Sequence, residues 1–132
     1  MRSVFGVVGW AVGVLAIGVG ACDDHEHEHE GEATGALCPS ENTLSYANFG
    51  QTFMADYCVD CHSSTATGSA RRDAPVGIDF DTIAGIRLHA THIDEHAAAG
   101  PNATNDEMPE DDPKPTLEER TKLGQWLACG AP

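Results

Sequence analysis

At 132 residues, with a leader to set aside, the chain has room for one small domain. Aromatic residues make up only 6% of it, so its side chains alone give a thin apolar core, which a buried cofactor would enlarge. A formal charge of -14, from 21 acids against 7 bases, excludes nucleic acid, whose phosphates need a basic face; it suits basic protein partners, or serves solubility alone.

Met1 to Ala21 opens with Arg2, runs uncharged and apolar from Val4 to Val19, and ends in small residues, the charge pattern and ending of a signal peptide. Its junction, Val19-Gly20-Ala21-Cys22, resembles a bacterial lipobox, which implies lipidation of Cys22 as the new N-terminus. The alternative is an uncleaved membrane anchor, because the apolar run lies near the lower limit for spanning. Either way the remainder is expected outside the cytoplasm, at the periplasmic face of a bacterial membrane, inner or outer. Residues 22–37 show no apolar period and are rich in Asp, Glu, His and Gly, which predicts a flexible tether with an end-to-end distance of about 20 Å. Within it His25-Glu26-His27-Glu28-His29-Glu30 alternates imidazole with carboxylate. Such a tract binds zinc, nickel or copper, or is a solvated charge run without fixed coordination geometry.

Tyr46, Phe49, Phe53 and Tyr57 recur at helical spacing with Gly50 between them, and Asn42, Thr43 or Ser45 offers the cap. That helix delivers Cys58-Val59-Asp60-Cys61-His62 at its end. Two thiols held two residues apart can each add across a haem vinyl group while the adjacent imidazole reaches the iron from the same side. The motif therefore reads as covalent attachment of one haem c through Cys58 and Cys61, with His62 as the proximal iron ligand. A redox pair would be expected beside a strand rather than after a helix. A zinc site needs four ligands, and Cys22, Cys38 and Cys129 offer no second close pair.

Ser63 to Asp79 reads as a loop, and a second helix follows from a cap at Asp81 or Thr82 to a stop at Gly100-Pro101. Ile83, Ile86, Ala90, Ile93 and Ala97 give it an apolar face. His89, His92 and His96 share another stripe, able to hold a metal, to reach a haem, or to form a polar flank. Gly100 to Pro115 carries prolines at 101, 109, 113 and 115 and no helix runs through it. A capping box, Thr116-Leu117-Glu118-Glu119, opens the last helix, whose stripe is Leu117, Leu123, Trp126 and Leu127, with Gly124 allowing close approach.

Gly50 eight residues before Cys58, the Cys58–His62 motif and Met108-Pro109 in a proline-rich loop together resemble class I mono-haem cytochromes c, here in a bacterial lipoprotein form. The resemblance covers residues 38–132. It implies a small all-α fold with N- and C-terminal helices packed around the haem, Gly50 at their crossing and Trp126 as the aromatic that meets it. It also implies Met108 as the distal iron ligand. Met1 leaves with the leader and Met54 lies on the proximal side, so Met108 is the methionine free to approach from the opposite face; a Met that merely fills a gap is the alternative. Pro75 corresponds to the family's proline whose carbonyl accepts the proximal imidazole N–H, or is a turn residue. Docked terminal helices would bring Cys38 and Cys129 together in a disulfide.

The implied function is one-electron transfer rather than catalysis, since iron held by both His62 and Met108 has no open site. The 15 acids against 6 bases in residues 38–132 point to redox partners with a basic docking face. The alternatives are a haem-based sensor or peroxidase-like protein with a labile sixth ligand, and a metal-binding lipoprotein that uses the histidine tract.

Overall fold

The computed structural model describes residues 31–132, so the expected signal peptide (1–21), the lipidation site Cys22 and the His25–Glu30 tract lie outside the described residues. Ser45 starts the first helical stretch: its hydroxyl accepts from the Asn48 N–H at 3.3 Å, while the Asn48 side chain accepts from the Ser45 N–H at 2.8 Å. A π-helical turn, Tyr46–Gly50, runs straight into α1, Gln51–Tyr57, which ends as Cys58 leaves helical geometry. A short 3-10 turn, Gly68–Arg71, interrupts the loop that follows.

The second expected helix is two. α2, Ile83–Leu88, is capped by Thr82, whose hydroxyl accepts from the Gly85 N–H, and α3 covers Ala90–Ala97. The break falls at His89 (φ -107, ψ 19). It coincides with tertiary ties on both sides: Arg87 donates to the Ala131 carbonyl at 2.9 Å and the His89 ring meets the Gly77 carbonyl at 3.1 Å. The helix also stops earlier than Gly100, because Ala98 and Ala99 turn extended and are buried beneath α4. α4, Leu117–Ala128, has the expected reciprocal box, with Thr116 accepting from the Glu119 N–H and Glu119 accepting from Thr116. These four helices, with no strand among the described residues, make a small, mostly helical fold.

The core gathers Trp126, Leu123, Ile86, Met54, Phe53 and Ile93, all buried, each contributing about 1.5–3 kcal/mol by leaving water. Gly50 stands where α1 crosses α4, and a Cβ there would overlap the Trp126 ring. Gly124 lies equally close to the Ala99 carbonyl, 2.6 Å from where its Cβ would stand. Leu117 does not join the stripe assigned to it: it is 62% exposed, and Arg120 faces inward instead. Cys38 and Cys129 are joined by a disulfide with Cα atoms 4.7 Å apart, which ties the segment before α1 to the end of α4.

The end of the expected tether is not loose. Thr34 is fully buried; its N–H and hydroxyl donate to the two carboxylate oxygens of Asp94 at 2.8 and 2.6 Å. Asn105 donates to the Glu32 carbonyl at 2.7 Å, and Asn102 to that of Thr34 at 2.9 Å. The polar composition that predicts a linker supplies these side-chain and backbone bonds, so the docked chain begins before residue 38. Among the described residues no helix is long and apolar enough to cross a membrane.

Candidate functional site

α1 sets Cys58, Cys61 and His62 on one wall of a cavity of about 320 Å³, and the loop after α3 brings Met108 into the lining of the same cavity. Phe80, Ile93 and Ala97 add apolar surface between them. Cys58 and Cys61 are free thiols, in contrast to the bonded pair Cys38–Cys129. Burial pushes the Cys58 thiol up to about 12, against a smaller downward pull from the Arg120 charge. A thiol so reluctant to ionise does not suit a thiolate redox pair.

His62 is buried and its ring stacks on Phe80 with centroids 4.7 Å apart. Its Nδ1 lies 3.0 Å from the Ile78 carbonyl, which fixes the ring and leaves Nε2 for a metal. Burial lowers its pKa below the ordinary histidine value, outweighing the upward effect of the Ile78 bond, so the ring is held neutral, the form that ligates.

The partner of His62 is therefore Ile78 and not Pro75. The Pro75 carbonyl accepts instead from Arg71 Nη2 at 2.6 Å and from the Ile78 N–H at 3.3 Å. Arg71 is buried and organises the whole loop: it also donates to Ala74 at 3.0 Å, to Ser63 at 2.7 Å and to Ile78 at 3.3 Å, and pairs with Asp79 at 2.8 Å. Pro75 keeps a place in the cavity lining.

In the loop after α3 the Met108 N–H donates to the His96 carbonyl at 3.0 Å and its carbonyl accepts from Arg120 at 2.8 Å. Met54, buried in the core, does not line the cavity, which leaves Met108 as the lining methionine. Of the histidine stripe, His92 and His96 line the cavity with ring centroids 4.4 Å apart, and His96 Nδ1 meets Glu107 at 2.8 Å. His89 turns away to Gly77. Among the described residues no three His, Cys, Asp or Glu side chains converge as a metal site of their own.

Two residues that shape the site, Arg71 and Arg120, escaped the sequence reading. Arg120 had a signal, since it stands three residues before Leu123 and seven before Leu127, on the buried face of α4. Arg71, in an aperiodic loop, had none.

The donor set fits a covalently held haem: two free thiols, a neutral imidazole oriented by a carbonyl, a thioether and apolar walls share one cavity. No protein-family model matches the chain, and neither the curated proteins nor the solved structures contain a match to it.

Proposed function

We propose that the protein is a mono-haem c-type cytochrome of the class I fold, carrying single electrons between redox partners outside the cytoplasm and tethered to a bacterial membrane through Cys22. The observation that carries this reading is the meeting of Cys58, Cys61 and His62 with Met108, distant from them in sequence, in the lining of one cavity. Bound there, the haem would supply a one-electron iron couple.

The chain's part is to hold and tune. Cys58 and Cys61 would fix the haem by thioether bonds, His62 would ligate through Nε2 with Ile78 holding its ring, and Met108 would close the sixth position and raise the potential. Asp56, Asp60, Asp73, Glu110, Asp111 and Asp112, all exposed, lie along the cavity lining with Arg72 as their neighbouring cation, which favours a partner with a basic docking face. The disulfide Cys38–Cys129 supports an oxidising compartment.

The test is the absorption spectrum of the protein produced with haem-attachment machinery. Covalent haem with the weak far-red band of methionine ligation, lost in Met108→Ala, is expected; no haem sinks the proposal. A second reading, a haem sensor or peroxidase-like protein, draws on His92 and His96 lining the same cavity. Covalent haem without the far-red band, and ready carbon monoxide binding to the reduced form, would favour it.

A further inference from the structure

Met108 is held from two sides by backbone bonds alone, its N–H by α3 through His96 and its carbonyl by α4 through Arg120. Arg120 is 3% exposed, and its Nη1 donates to the carbonyls of Ala97 at 2.7 Å, Asn105 at 2.9 Å and Met108 at 2.8 Å. It has no ion pair among the described residues. Burial lowers its pKa, and Asp106 and Cys58 act in the opposite direction. A charge buried at a helix position where a leucine would pack is costly unless its hydrogen bonds are met, and here carbonyl dipoles meet them.

The bonded carbonyls mark the end of α3, the turn after it and the residue proposed as distal ligand. Asn105 extends the grip: its amide donates to the Asp94 carbonyl at 2.8 Å and to Glu32 in the N-terminal segment.

We propose that Arg120 is the positioning residue for the Met108 sulfur, gathering three carbonyls on one nitrogen so that the loop can present the thioether at only one place. The inference rests on Met108 as the sixth ligand. Thioether ligation is weak, so it depends on how closely the supporting bonds fix the ligand before the metal bond forms. The prolines around Met108 restrict the loop's freedom; Arg120 sets its location.

The test compares haem-loaded wild type with Arg120→Met and Arg120→Lys, reading the far-red band, carbon monoxide binding to the reduced form and hydrogen exchange of residues 103–112 against 46–57. Arg120→Met is expected to keep its covalent haem, lose most of the band, bind carbon monoxide several-fold faster and exchange faster in 103–112 alone. Arg120→Lys, which keeps the charge and the donors but on a flexible stem without the preorganised planar fork, is expected to recover part of the band. If Arg120→Met fails to fold, Arg120→Lys and Arg120→Gln decide, and full wild-type bands in both overturn the role. An intact band in Arg120→Met, with a wild-type band that Met108→Ala abolishes, overturns the positioning role and leaves the ligand reading standing. A wild type without the band overturns the ligand reading, and the positioning role with it.

Discussion

The two loops that line the cavity, the one after His62 and the one that carries Met108, are both held by a buried arginine, but in different ways. Arg71 draws together carbonyls and a carboxylate that all belong to residues 63–79, so the proximal loop is closed upon itself. Arg120 holds carbonyls at the end of α3 and in the loop beyond it, and Asn105 adds a bond to Glu32. The distal loop is thus stabilised by the rest of the fold. Each arrangement suits the ligand proposed there: His62 follows Cys58 and Cys61 directly in sequence and needs only its ring oriented, whereas Met108 must be brought in from elsewhere.

The largest expected effect comes from breaking what the distal side leans on. Reducing Cys38–Cys129, which closes a sequence separation of 91 residues, should cost about 4 kcal/mol by chain-entropy reckoning. Because the bond joins the segment before α1 to the end of α4, hydrogen exchange should rise more in residues 103–112 than in 63–79; equal loosening would remove the contrast between the loops. Arg71→Met comes next. It strips Asp79 of its partner at 2.8 Å and takes a donor from four carbonyls, of which Ser63, Pro75 and Ile78 keep another bond, for about 3 kcal/mol. Its exchange footprint should stay within 63–81, and denaturant unfolding gives the magnitude.

Thr34→Ala sharpens the comparison from the other end of the chain. The hydroxyl donates to Asp94 at 2.6 Å, and hydrogen bonds to charged groups contribute about 1.5–3 kcal/mol. With the Thr34 N–H still bonded to Asp94, about 1 kcal/mol is expected, felt in the distal loop and not the proximal one. A value near zero, measured by denaturant midpoint at constant slope, would restore residue 34 to the tether.

These sites also mark what a sequence can disclose. Local rules carried far: the capping box at Thr116, the thiol and imidazole spacing and the proline-rich loop all depend on residues near one another, while the Gly50–Trp126 contact came from the family resemblance. That Met108 lies in an irregular loop was legible by the same local rules, since its flanking prolines declare one. The carbonyl partner of His62 was not, because Pro75 and Ile78 stand three residues apart in one loop and no side-chain type tells their main-chain oxygens apart. Arg71 bonds mostly to main-chain atoms in an aperiodic loop, so no pattern of side-chain types reports it. Arg120 could have been read from its helical register with Leu123 and Leu127, but its carbonyl partners could not. Gly31 to Leu37 read as linker because a few hydrogen bonds, rather than an apolar period, hold that segment down.

The smallest effect separates the loops by pH. Asp81 anchors the start of the proximal loop, accepting from the Ser64 N–H at 2.6 Å. Bonds from the Ser63 side chain and the Ser64 backbone, in that order, hold its carboxyl below the ordinary aspartate range despite some desolvation. A carboxyl whose pKa is lower folded than unfolded binds protons more readily in the unfolded chain, so stability rises with pH across that window. The contribution is complete above the unfolded value and disappears as pH falls through the folded one. Asp81 is exposed, so solvent screens the effect and the change in global stability is small. Asp81→Asn should therefore flatten the acid limb of the stability curve slightly, and it should abolish the acid-induced rise in exchange at Ser64 while leaving residues 103–112 unchanged. If the acid limb is the same in both proteins, the proximal loop does not depend on this carboxylate, and its closure rests on Arg71 alone.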